Sequence, residues 1–212
     1  AHSMTLAPTP AGRLLGLLGV LGSGYGEVQQ ALSAWNADDG STVQFVYRGT
    51  TTASGGLSHP DGVNAVQFND PDDVLAGIFD CQSGGVLATT GTWVKNAQTW
   101  AHGSFLPLAE ADIVVQDGAS CFLGLLNNAN AAELFAHELG HALGLAHSCG
   151  ENAAPDCVAG SAVDDAVMRP VLHADGRGAG ASAQARCRRG LDAAFWRARS
   201  RPAFAGRGAR IC

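Results

Sequence analysis

A chain of 212 residues that is 46% hydrophobic and 15% charged has material for one ordinary domain or two small lobes, and it is not a disordered tail. Its longest apolar run, residues 14–22 after Arg13, is far short of the roughly 20 residues a bilayer helix needs, so no membrane span is expected. The net charge of −6 is unevenly spread: nine arginines lie between Arg177 and Arg210 with Asp192 as the only acid, so that tail carries +8 and the remainder −14.

The simplest consequence of that asymmetry is a basic tail docked on an acidic body. With only Phe195, Trp196 and Phe204 among the arginines, no nucleic-acid partner is expected. In chain order, the run at 14–22 reads as a helix or strand of the folded protein rather than the centre of a signal peptide starting at Met4. Residues 25–37 place Val28, Ala31, Leu32 and Trp35 at helical spacing, which predicts a helix with one buried face. Residues 36–40 break it, and residues 42–47 alternate Val43, Phe45 and Tyr47 against Thr42, Gln44 and Val46 as a strand does.

A glycine-rich loop over 54–62 leads to a second strand over 62–69, with Val63, Ala65, Val66 and Phe68 as inward candidates. The N-D-P-D-D cluster at 69–73 is either a solvated turn or a set of hard oxygen ligands for calcium, although the regular spacing of a calcium loop is absent. β-formers over 85–94 predict a strand or a pair, and D-I-V-V-Q over 112–116 predicts another. Asn130 followed by Glu133 predicts a capping box opening a further helix, whose apolar surface is Leu134, Phe135, Leu139 and Leu143.

That helix carries A-H-E-L-G-H-A-L-G-L-A-H-S over 136–148. His137 and His141 stand four apart, so they leave one helical face a turn from each other and can share a metal, with Glu138 beside them as a carboxylate base. A straight helix would carry His147 away. Gly144 allows a left-handed residue that ends the helix and swings His147 back, giving three imidazoles and an open fourth position, as in a catalytic zinc site.

The pattern His137-Glu138-x-x-His141-x-x-Gly144-x-x-His147 resembles the long zinc signature of the metzincin metallopeptidases, and the following Ser148 resembles the matrixin-like branch. The resemblance implies an α+β fold: a two-lobe catalytic domain in which a mixed, twisted β-sheet and the zinc-site helix form an N-terminal lobe (1–147). A small irregular C-terminal lobe (148–212) follows, the whole being a single domain. It implies a Zn2+ cofactor held by His137, His141 and His147, Glu138 as general base and then acid, and hydrolysis of proteins or peptides bound in extended form. A-V-M-R-P over 166–170 is similar to the family's methionine turn, with Met168 beneath the ligands, 21 residues beyond His147. The helix with a late Trp35 and the V-x-F strand after it are similar to the family's opening.

The strand containing Ile113, Val114 and Val115 resembles the edge strand to which a substrate adds, and Pro170 and Val171 fall where the family's substrate pocket is shaped. The family's structural calcium would find its carboxylates at 69–73. Pro170 also replaces the tyrosine that some branches bring to the metal, and no cysteine stands in a propeptide switch motif. A second zinc is not expected, because His102 stands alone, and His2, His59 and His173 form no pattern. A closing helix over 191–199 is expected.

Six cysteines without a C-x-x-C pair point to disulfides, an oxidising compartment and secretion; fifteen pairings are open, and proximity and lobe assignment favour Cys81–Cys121, Cys149–Cys157 and Cys187–Cys212. A monomer is expected. Two alternatives compete. An aminopeptidase with a distant glutamate ligand is disfavoured by the in-register His147. A non-enzymatic, secreted zinc-binding adhesion or interaction module is disfavoured by Glu138, which zinc binding alone does not need.

Overall fold

In the first helix, α1 (Tyr25–Asn36), the predicted spacing turns Val28, Ala31 and Leu32 into the core, while Trp35 packs at its margin. Asn36 ends the helix productively: its side-chain amide donates to Phe45 O (2.8 Å) and its carbonyl accepts Phe45 N–H (2.6 Å). One side chain thus satisfies both backbone groups at the start of the next strand. The computed structural model of the chain describes residues 2–6, 24–37, 43–100, 103–123, 129–149, 158, 161 and 164–173.

Five strands form a mixed sheet. They are β1 (His2–Leu6), β2 (Phe45–Thr50), β3 (Ala65–Gln67), β4 (Ala88–Val94) and, after a hairpin of β5 (Gln98–Trp100) and β6 (Gly103–Phe105), β7 (Leu108–Val115). The order is β2-β1-β3-β7-β4, parallel throughout except for β4, which runs antiparallel to β7. β1 is not among the elements that periodicity predicts, because five residues are too few to display an alternation. β2 starts three residues later than expected and continues to Thr50, and the strand expected over 62–69 is only Ala65–Gln67.

The expectation that residues 112–116 form the free edge is corrected. β7 starts at Leu108 and lies between β3 and β4, so Ile113, Val114 and Val115 are 0%, 0% and 2% exposed and have no face for a ligand. Among the described residues the free edge beside the cleft is β4.

The short α2 (Ser120–Leu123) leads to α3 (Ala129–Ala142), which packs with α1 on the sheet. The core between them holds Val28, Val66, Ile113, Leu123, Phe135, Leu139 and Met168, and Phe68 meets the Phe135 ring edge-on at 5.9 Å. The capping box at the start of α3 is also corrected. Asn130 is buried inside the helix and donates to Phe122 O (3.4 Å), and the Glu133 carboxylate is taken by His173, described below.

At 69–73 the structure is a turn. Asn69, Asp70 and Asp73 adopt positive φ (59°, 30° and 53°), which Asn and Asp tolerate better than other side chains. The buried Asp70 carboxylate accepts Val74 N–H (3.0 Å) and Leu75 N–H (2.7 Å), so the acid nearest the core is committed to the turn. Cys81 is bonded to Cys121, as expected. Cys149 is also disulfide-bonded; its expected partner Cys157, the pair Cys187–Cys212, the arginine-rich tail, the helix expected over 191–199, the run at 14–22 and His102 lie outside the described residues. Among the described residues no helix is long and apolar enough to cross a membrane.

Candidate metal centre

α3 is buried along nearly its whole length, so side chains that leave it toward the cleft start from a rigid base. Its C-terminus explains how the third histidine returns. Gly144 takes φ 85°, Gly144 N–H donates to His141 O (2.8 Å) and Leu145 N–H reaches Gly140 O (3.0 Å). This pair of bonds is the Schellman arrangement, which closes the helix on a left-handed residue and reverses the chain. His147 then packs with its ring centroid 5.2 Å from that of His137 and 4.8 Å from that of His141.

One ring nitrogen from each of the three histidines lies within 4.8 Å of the others, so together they could hold a metal ion. The hydrogen bonds indicate which nitrogens are available. His137 Nδ1 is 2.8 Å from Val167 O and His141 Nδ1 is 2.8 Å from Leu145 O. A carbonyl only accepts, so both Nδ1 atoms carry the proton in a neutral ring and both Nε2 atoms present lone pairs. Those two Nε2 atoms stand 3.0 Å apart with no proton to share, a repulsive pairing that a cation resolves. Burial, and then His141 and His147 nearby, push the His137 pKa from 6.5 down to about 3, so it is a neutral ligand at physiological pH. The donor set fits zinc.

Glu138 is buried beside the triad. Burial raises its pKa, opposed by the hydrogen bond it accepts from Thr90 Oγ1 (2.5 Å) and by His141. The triad and Glu138 open onto a cleft of about 1090 Å³, lined by Leu87, by Ala88 and Thr90 of the edge strand, and by Pro170, Val171 and Leu172. Phe79, Phe122 and Leu134 add apolar lining. Pro170 and Val171 therefore stand at the cleft, whereas Ile113, Val114 and Val115 do not.

Met168 is fully buried, and its turn touches the site twice: Val167 O holds His137, and Met168 O accepts Ser148 N–H (2.8 Å) directly after His147. The thioether lies against Gly140, where any added Cβ would overlap Met168 Sδ. Trp35 braces the same helix, donating from Nε1 to Ala136 O (2.9 Å). In the sequence only the position of Gly140 inside a helix, where glycine costs about 1 kcal/mol relative to alanine, signals this close approach.

His173 was equally hidden. Its backbone N–H and Nδ1 both meet Glu133 Oε1 (2.9 and 2.6 Å), and its Nε2 meets Asp164 O (2.8 Å), an arrangement that a doubly protonated ring satisfies. Arg169 holds the other end of this segment, with Nε on Asp164 Oδ1 (2.9 Å) and Nη1 on Val171 O (2.5 Å). The cleft wall formed by 170–172 is thus anchored on both sides.

A family model described as Matrixin, a peptidase family, matches residues 25–156, more than half of the chain and inclusive of α1, the sheet from β2 onward and all three histidines. No curated protein sequence matches it.

Proposed function

This chain belongs to the matrixin family of zinc metallopeptidases, and on that premise we propose that it is a zinc-dependent endopeptidase in which Glu138 carries the proton. The observation that bears most weight is the convergence of three imidazole nitrogens within 4.8 Å, beside a buried carboxylate, at the floor of an open cleft. His137, His141 and His147 would hold the ion. Zinc in such a site supplies a bound water of lowered pKa and a Lewis acid for the scissile carbonyl.

Glu138 would take a proton from the attacking water and return it to the departing amine, as general base and then general acid. Burial raises its pKa, which suits a group that must both accept and release a proton. β4, as a free edge, offers backbone donors and acceptors to an extended peptide whatever that peptide's side chains are. Pro170 and Val171, which line the same cleft, would contact that peptide. We extend the reading to one domain over 1–212, with lobes at 1–147 and 148–212, acting as a secreted monomer on protein substrates; the six cysteines support the compartment.

The test is cleavage of an unfolded protein by the untreated protein, by chelator-treated protein and by Glu138→Ala at equal zinc content. The proposal expects cleavage only in the first. Equal activity in Glu138→Ala refutes the mechanism, and an inactive, zinc-loaded wild type favours a binding module on the same scaffold.

A further inference from the structure

We propose that Thr90, on the free edge strand, is a positioning residue that holds the Glu138 carboxylate in place; its consequence for catalysis rests on Glu138 being the proton carrier. Thr90 Oγ1 meets Glu138 Oε2 at 2.5 Å and Glu138 O at 3.1 Å. The hydroxyl has one proton to offer, and both acceptors belong to the same residue. It therefore clamps the glutamate side chain against its own backbone.

Among the described residues Thr90 is the only hydrogen-bond partner of that carboxylate. The donor is itself well fixed. Thr90 is β-branched, which restricts its first side-chain torsion, and its backbone pairs with Ile113 of the buried β7. The contact joins residues 48 apart, the strand beside the cleft and the helix carrying the histidines. Because β4 is the free edge, a peptide that adds to it orders the strand from which Thr90 reaches. Engagement of the peptide and orientation of the carboxylate are thereby linked.

Thr90→Val keeps the shape and removes the hydroxyl, while Thr90→Ser keeps the hydroxyl. In zinc-loaded protein of unchanged metal content, kcat falls about tenfold or more in Thr90→Val with KM within about twofold, and Thr90→Ser recovers to within about threefold. A readout independent of activity is urea unfolding of the metal-free proteins. There Thr90→Val lowers the folding equilibrium constant about tenfold when Glu138 is present, and about threefold or less in a Glu138→Met background, where only the longer bond to the carbonyl of residue 138 remains.

Equal losses in the two backgrounds, or a Thr90→Ser variant that behaves like Thr90→Val, overturn the inference. So does an unchanged kcat in Thr90→Val of a protein that cleaves normally, which leaves the proposed function standing. A wild type that cleaves nothing refutes the proposed function, and the unfolding cycle still decides whether Thr90 holds the carboxylate.

Discussion

Asp112→Asn should stabilise the protein at neutral pH and flatten its response to acid. Asp112 lies on β7 and is 1% exposed; its Oδ1 accepts Ala65 N–H (2.7 Å), and among the described residues its Oδ2 has no hydrogen-bond donor. Glu110 and Asp61 stand close by, with Glu110 already accepting Asp61 N–H (2.8 Å) and Gly62 N–H (2.5 Å). Burial, and then the charges of Glu110 and Asp61, push the Asp112 carboxyl from its ordinary 3.8 up to about 7 against the opposing Ala65 hydrogen bond.

The sign follows from proton counts. Between pH 3.8 and about 7 the unfolded chain has lost this proton while the folded one retains it, so stability falls as pH rises through that window and levels off above it. At about 1.4 kcal/mol per pH unit the penalty is bounded at about 4 kcal/mol, and relaxation of the Asp61–Gly62 turn toward water brings the expectation to about 2 kcal/mol. Asparagine keeps the acceptor for Ala65 and supplies a donor toward Glu110. Urea unfolding of both metal-free proteins, followed by tryptophan fluorescence at pH 4, 6 and 8, should give a gap of about 2 kcal/mol at pH 8 that closes by pH 4. Parallel profiles, or a variant less stable at pH 8, would refute the reasoning.

Three other outcomes can be checked directly. Gly140→Ala gains about 1 kcal/mol of helix propensity but forces a methyl onto Met168 Sδ, so a net loss of about 1–2 kcal/mol is expected in urea unfolding; combined with Met168→Ala the loss should be less than additive. Chelation should lower the thermal midpoint and zinc should restore it, by about 4 kcal/mol at a thousandfold excess over the dissociation constant, and His147→Ala should abolish that response in a calorimetric scan. His173→Gln removes the imidazole that meets the buried Glu133 carboxylate, at a cost of about 1–3 kcal/mol, and should raise KM for a peptide substrate more than it lowers kcat.

What was legible in the sequence was what a few neighbouring residues decide among themselves. His137, His141, Gly144 and His147 lie within one helical turn and one cap, so their spacing is already their geometry. The same holds for α1, whose four apolar positions recur every third or fourth residue. Met168 was legible through its distance from His147, although the glycine that receives it was not. The position of β7 was illegible because it depends on pairing with β3 and β4, whose partners lie far apart in the chain. An apolar run such as 113–115 is the mark of a strand covered on both faces, and that reading competes with the family resemblance. Glu133 has the spacing of a capping residue, but its carboxylate is held by His173, 40 residues on. Thr90 and Val167 likewise reach the site from 48 and 30 residues away, and nothing in their local sequence marks them.

The bond between Cys81 and Cys121 spans 40 residues, and everything from the cleft-side edge strand to the buried β7 lies inside that covalent ring. The ring also contains Asn96 and Ala97, exposed residues of the short connection between β4 and β5. A single nick there opens the ring without parting the chain. A chain clipped at that connection would keep its two pieces tethered and registered in one sheet. The clip shows only as two fragments on a reducing gel and as one band without reductant.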